Sequence, residues 1–314
     1  GGDYMKQEQI TYTVSTGYRK NDIGGINTLG DLIVSAYKEK GCSAEINVMK
    51  YFNSNKFNIL IGCSNPRIYV FILIMIISRR VGLICWIPCF HSPKYVKNKI
   101  KSMLALQYIK FVQYFGVNIG TLSSHEYSIL KNGNCNIYSI PFSIEKAMPS
   151  FKNPRKYLLV YLGRPVKQKG WFKYLEICKG LKEQCLAIIP WRYQNTLPSN
   201  IEVIINPAPK LIAKMLSMAS IMILPSDYES FGFAQAEALI QGCCVPVFGM
   251  WPIWLDVEEL DWRNLNTIEC HNQINTLKAK PDKLSYLHSK QLAAWKNRIE
   301  RNYSSLPLAN STRN

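Results

Sequence analysis

Asp227-Tyr-Glu-Ser-Phe-Gly-Phe-Ala-Gln-Ala-Glu-Ala-Leu-Ile-Gln-Gly242 is the stretch on which the reading of this chain turns. Ser220-Ile-Met-Ile-Leu-Pro225 before it and Cys243-Cys-Val-Pro-Val-Phe248 after it are apolar runs, short enough for buried parallel strands. Between them, Phe233 to Gln241 is a run of helix formers without a breaker, and Gly242 stands where a helix would stop. The pattern predicts a strand–loop–helix–strand unit, which binds ligands where the strand's carboxyl end meets the helix N-terminus. Backbone N–H groups around Gly232 and Phe233 are expected to point out of that helix start, toward an anion. Glu229 precedes the helix and Glu237 lies along it. At about 3.6 residues per turn, their spacing is expected to set both carboxylates on one side.

Two ionised carboxylates beside an anion site suit a hydroxyl-rich ligand, since they accept hydrogen bonds and donate none. The spacing alone fits an acidic first turn plus one solvated Glu equally well.

Working outward, Tyr157-Leu-Leu-Val-Tyr-Leu-Gly163 reads as a buried strand, and Gly-Arg164-Pro-Val-Lys-Gln-Lys169-Gly170 leads into a helix near Trp171. Basic groups at a strand end that face a helix start make a diphosphate site. Leu186–Pro190 and Ile201–Ile205 are further strands, and Pro209–Met218 an amphipathic helix. The first half alternates in the same way. Strands are predicted at Ile10–Val14, Ala44–Val48, Phe57–Gly62, Leu83–Pro88, Asn118–Ser124 and Ile137–Pro141. A helix over Thr28–Lys40 follows a Gly24-Gly25 turn, where backbone can approach a ligand closely. Another is expected over Ile68–Arg80, covered on most sides. Phe90-His91-Ser92 sits just past a strand end, where a His can also serve as a purely structural hydrogen-bonder.

Pro93 to Phe115 interleaves Lys94, Lys97, Lys99, Lys101 and Lys110 with Ile100, Met103, Leu104, Leu106, Ile109 and Phe111. This basic amphipathic pattern fits a helix on an anionic membrane surface. It fits equally a solvated lysine face over an ordinary core-facing stripe. The segment Glu145–Arg155 is polar and contains prolines, a linker between two strand–helix alternations. Two α/β units with parallel sheets are therefore predicted, with a long helix over Tyr286–Tyr303.

The motif Glu229-Ser-Phe-Gly-Phe-Ala-Gln-Ala-Glu237-Ala, with Gln-Gly-Cys-Cys-Val-Pro-Val after it, resembles the Glu-x7-Glu segment of retaining glycosyltransferases of family 4. The resemblance implies a GT-B fold, two Rossmann-like domains whose parallel sheets face an interdomain cleft. It implies an acceptor-side domain over 5–150, a nucleotide-sugar-binding domain over 151–285, and a helix over 286–304 crossing back to the first domain. It assigns Glu229 and His91 to the donor sugar, and Glu237 to the nucleotide ribose. Arg164 and Lys169 fall to the diphosphate together with Gly232 and Phe233, and Gly24 and Gly25 to a loop facing donor and acceptor. The family's leaving phosphate is thought to help deprotonate the acceptor. Two departures stand out: Pro141-Phe-Ser143 where the family has Pro-Asn-Gly, and Pro190-Trp-Arg192 where it commonly has a glycine-rich turn. Trp251 and Trp254 also replace smaller residues.

Composition narrows the class. With 314 residues, 47% of them hydrophobic, the chain can bury two cores. Its ten cysteines include no Cys-x-x-Cys and several lie in apolar runs, which fits buried thiols in a cytoplasmic protein. No Asp-x-Asp is present, so a metal-held diphosphate is disfavoured. The resemblance implies a UDP- or GDP-sugar donor, no metal and no cofactor. A formal charge of +17 implies an anionic partner. No secretory signal or spanning run is legible. The expectation is a cytoplasmic hexosyltransferase, peripheral on the inner face of the membrane, with a glycan or lipid-linked acceptor in bacterial surface-polysaccharide synthesis. A catalytically silent nucleotide-sugar binder is the alternative. A nucleic-acid-binding protein is disfavoured, because no RNA or DNA motif accompanies the charge.

Overall fold

Short apolar runs become strands wherever helices cover both faces of a sheet. In the computed structural model, which describes residues 11–15, 25–39, 41–47, 56–63, 65–90, 98–122, 124–131, 135–137, 151–229, 231–249 and 257–302, this is the rule for the central strands. The chain divides into two units, one built on residues up to Ser143 and one on Ile144–Arg301.

The first unit runs β1 (Thr11–Ser15), α1 (Gly25–Glu39), β2 (Ser43–Asn47), β3 (Phe57–Ile61), α2 (Pro66–Ile77), β4 (Ile84–Ile87), α3 (Lys99–Tyr114), β5 (Asn118–Thr121), α4 (Ser124–Leu130) and β6 (Cys135–Ile137). Every pairing is parallel and the strand order is β2-β1-β3-β4-β5-β6. All residues of β3, β4 and β5 are buried. The order reverses between β1 and β3, so the crevice at their carboxyl ends is this unit's natural ligand position. Helix α1, whose first residue is Gly25, is the next described element after β1.

The second unit runs β7 (Tyr157–Leu162), α5 (Trp171–Lys179), β8 (Cys185–Ile189), β9 (Ile201–Ile205), α6 (Pro209–Ser217), β10 (Ala219–Met222), α7 (Phe233–Ile240), α8 (Thr267–Ala279) and α9 (Pro281–Asn302). Its sheet is again parallel, ordered β10-β7-β8-β9. The chain builds outward from β7 through β8 to β9, then returns to pair β10 with the other edge of β7. The reversal lies between β7 and β10. Helix α9 starts at Pro281, ahead of the expected Tyr286, and packs on this unit. The Gln291 amide accepts from Val245 N at 3.0 Å and donates to Val245 O at 2.7 Å, pairing with the chain as a strand would.

Several expectations are corrected. The strand predicted over Cys243–Phe248 is reduced to two isolated bridges, Cys244 with Ile221 and Val247 with Asp261. Pro246 between them has no N–H to continue a ladder. Helix α2 ends at Ile77 and is not covered on most sides, since Val70, Leu73, Ile74 and Ile77 are all exposed. Helix α3 begins at Lys99 and turns a different stripe inward from the one expected. Ser102, Ala105, Ile109, Val112 and Gln113 are buried, while Ile100, Met103, Leu104 and Phe111 face out.

Candidate functional site

The loops after β7 and β10 meet at the second unit's switch point, and backbone chemistry holds them. After β7 the chain makes a one-turn 3-10 helix over Lys167–Lys169 and then passes through Gly170, at φ 69°, into α5. A Cβ on Gly170 would lie 2.0 Å from the Pro225 carbonyl oxygen, so only glycine permits the loop after β10 to press this close. Gly249 closes the other side, where a Cβ would lie 2.1 Å from the Ser226 oxygen. The Ser226 hydroxyl is 3.1 Å from both the Gln168 and Tyr228 carbonyls and ties the two loops together.

Within this frame Lys169 Nζ lies 2.5 Å from Glu229 Oε1, their side chains 19% and 11% exposed. The Tyr161 hydroxyl, on β7, donates to the Arg164 carbonyl at 2.6 Å and lies 3.3 Å from that of Lys169. It thereby shapes the loop that carries both cations. Burial raises the Tyr161 pKa, the Glu229 carboxylate raises it further and the Arg164 guanidinium opposes them. The phenol is held as a donor, with both charged groups near it. Arg164 itself is exposed and has no ion-pair partner among the described residues. An exposed guanidinium on the same loop as a held ammonium suits a bulky diphosphate.

Helix α7 opens at Gly232, which adopts φ 86° and offers no side-chain cap, leaving the N-terminal N–H groups near Phe233 uncapped by any side chain. Glu237 lies one turn into α7, half-buried, with no donor or cation on its carboxylate among the described residues. Burial alone pushes its pKa up to about 7. An unpartnered carboxylate in such a recess is poised to accept hydrogen bonds from ligand hydroxyls. The spacing argument that linked the two acids needs correction. Glu229 lies outside the helix, which starts only at Phe233, so helical pitch does not set their relation. The Lys169 contact and the Gly170–Pro225 approach place Glu229 instead.

Lys169, Glu229, Arg164, Gly232, Phe233 and Glu237 thus all belong to loops and a helix start at one end of the second sheet. Gly25 opens α1 in the first unit. Gly24, His91 and Pro141-Phe-Ser143 lie outside the described residues, as do Lys94, Lys97, Trp251 and Trp254. The residue before His91 is anchored, because Phe90 N donates to Glu126 Oε1 at 2.6 Å and Leu122 N to Oε2 at 3.1 Å. Burial pushes Glu126 up to about 7, against the lowering pull of these two N–H groups. Tyr161, Ser226 and Glu126 were not singled out from sequence. A carboxylate in a helix start, in Ser124-His-Glu126, was the one available signal. Gln235, in the first turn of α7, is buried and its amide oxygen and nitrogen have no partner among the described residues.

No protein-family model matches this chain, and no curated protein does. Solved structures do. Sucrose-phosphate synthase from Thermosynechococcus elongatus is 12% identical with a TM-score of 0.66, over 94% of this chain and 95% of that one. BGT of T4 phage, solved with UDP and Mn2+, is 13% identical with a TM-score of 0.56, over 93% and 95%. S. aureus TarM, solved with UDP and alpha-GlcNAc-glycerol, is 15% identical with a TM-score of 0.59, over 90% of this chain and 57% of that one. Two Rossmann-like units of parallel sheet, matched across nearly the whole chain, define the GT-B fold.

Proposed function

We propose that this chain is a retaining glycosyltransferase that moves a hexose from a UDP- or GDP-sugar to a glycan acceptor, lipid-linked, in bacterial surface-polysaccharide synthesis. The observation that carries the reading is the Lys169–Glu229 pair at the β7/β10 switch point, with Arg164 on the same loop and an unpartnered Glu237 on the adjoining helix. The GT-B neighbours include structures holding UDP, and the resemblance to family 4 supplies the role of each residue.

In this reading the anomeric C–O bond breaks as the sugar acquires oxocarbenium character and the diphosphate gains charge. Lys169, Arg164 and the uncapped start of α7 stabilise that charge where it develops. Glu229 orients the donor sugar and in turn holds Lys169 in place. Glu237 accepts from the ribose hydroxyls. His91 is assigned to the sugar on the resemblance alone. Positive side chains do the work of a cation at the diphosphate, so the proposed chemistry is metal-independent.

Thermal-shift titration with UDP, GDP, ADP and their sugars, followed by transfer assays in excess chelator, tests this. Selective stabilisation by one nucleotide diphosphate, lost in Arg164→Ala, is expected, with turnover that chelator leaves intact. No response to any nucleotide would overturn the reading. Nucleotide binding without turnover on any acceptor would favour the silent binder.

A further inference from the structure

The first unit carries a surface that glycosyl transfer does not explain. From residue 46 to residue 125 the chain contains no Asp or Glu and ten Lys or Arg. Both α2 and α3 lie in this stretch. Right-handed crossovers between the parallel neighbours β3, β4 and β5 bring the two helices to one face of the sheet. They touch there: the Tyr108 hydroxyl donates to Tyr69 O at 2.7 Å, and the two rings pack edge-on at 4.7 Å. Their inner sides share one core, including Ile72, Met75, Ala105 and Ile109.

Their outer sides are apolar. Of the sixteen large hydrophobics exposed among the described residues, ten fall between Val70 and Phe115. Ile77 is 82% exposed, Ile100 73% and Leu104 66%. Exposed cations border them: Arg67, Lys99 and Lys101 at the helix N-termini, Arg79 and Arg80 past the end of α2, and Lys110 along α3. So many exposed apolar side chains on two touching helices, bordered by charge of one sign, mark an interaction surface rather than ordinary solvent-facing helix.

We infer that the α2/α3 face docks on an anionic lipid surface, inserting side chains such as Ile77, Ile100 and Leu104 while the basic rim meets headgroups. Charge complementarity selects this occupant. A second copy offering the same face would oppose like charges, with no carboxylate on either helix to pair them. Long aliphatic side chains among lysines are the composition of interfacial helices, in which apolar burial adds to electrostatic attraction. Lys99, Lys101 and Lys110, expected from sequence on a basic amphipathic membrane-facing helix, are thus joined by the exposed apolar side of α2. Arg67, Lys99 and Lys101 lie at the helix N-termini and Ile77, Arg79 and Arg80 at the far end of α2, so the two helices would lie along the lipid surface.

The inference stands apart from the donor site, and its test is separable. The full chain is sedimented with neutral phosphatidylcholine vesicles and with vesicles containing phosphatidylglycerol, at low and high salt. Partitioning at least about tenfold stronger onto anionic vesicles is expected, with a residual bound fraction at high salt from apolar insertion. Ile77→Gln/Ile100→Gln/Leu104→Gln, all at exposed positions, should lose the salt-resistant fraction. Lys99→Ser/Lys101→Ser/Lys110→Ser should lose the anionic preference. Both variants should keep the wild-type nucleotide-induced thermal shift. Equal recovery in the supernatant with both vesicle types would overturn the inference. So would sedimentation velocity showing a dimer that the triple Gln variant dissociates, with no vesicle binding, since the face would then belong to a second copy.

Discussion

Lys169 Nζ and Glu229 Oε1 lie 2.5 Å apart although sixty residues separate them in sequence. The contact joins the loop after β7 to the loop after β10, the two strands between which the sheet reverses. Lys169 is thereby held at the switch point before any ligand arrives, and Glu229 keeps one carboxylate oxygen in contact with a fixed cation.

Breaking this pair should cost stability as well as activity. Lys169→Ala leaves a largely buried carboxylate unpaired, and Glu229→Ala strands the ammonium. Each should cost about 1–3 kcal/mol in urea denaturation, and the double variant should recover part of the sum. All three should lose transfer activity by about a hundredfold or more. Additive stability losses would show that the pair is not coupled.

Arg164→Ala should separate the two effects. Arg164 is exposed and pairs with no described acid, so denaturation midpoints should stay within experimental scatter. Loss of one charge-assisted contact in the transition state should cost on the order of 3 kcal/mol, roughly a hundredfold in kcat/KM. An unchanged kcat/KM would remove Arg164 from the diphosphate site.

The carboxyl of Glu237 titrates at about 7 in the folded protein against 4.5 as its ordinary value, because burial disfavours the anion. With a raised folded pKa, the stabilising contribution is full below about pH 4.5 and is lost as pH rises through 7. Glu126 adds a shift of the same sign. Unfolding free energy should therefore fall between these pH values, by roughly 2 kcal/mol for Glu237 allowing for its partial exposure. Glu237→Gln should flatten that part of the profile. If the carboxylate meets ribose hydroxyls, nucleotide affinity should rise over the same range, with proton release measurable by calorimetry in buffers of different ionisation enthalpy.

Gln235 is fully buried with neither amide atom hydrogen-bonded among the described residues, a standing cost to the fold. Gln235→Met keeps the shape and removes the unsatisfied groups, so it should stabilise the free protein by about 1–2 kcal/mol in denaturant titration. Destabilisation would show that the amide has a partner in solution, bound water included.

Much of this architecture is written in short range. Cys185–Ile189 is apolar at every position because both faces of its strand are covered. Gly170 and Gly232 stand where the backbone must reach φ 69° and 86°, conformations that a Cβ penalises. Arg164, Lys169 and Glu229 could be placed at strand ends for the same reason, since each follows its run by a few residues. The limits of such local reading appear wherever a partner comes from elsewhere. Helical pitch could not relate Glu229 to Glu237, because the helix starts only after Gly232. The inward stripe of α3 goes to Ser102, Ala105, Ile109, Val112 and Gln113, not to Ile100 and Leu104, since the face a helix turns inward is settled by how it packs on the sheet. The Lys169–Glu229 contact required the crossover that returns β10 to the free edge of β7 after two strands have been laid on its other side. Periodicity and turn chemistry act over a few residues, whereas an ion pair between loops exists only once the sheet has closed the distance.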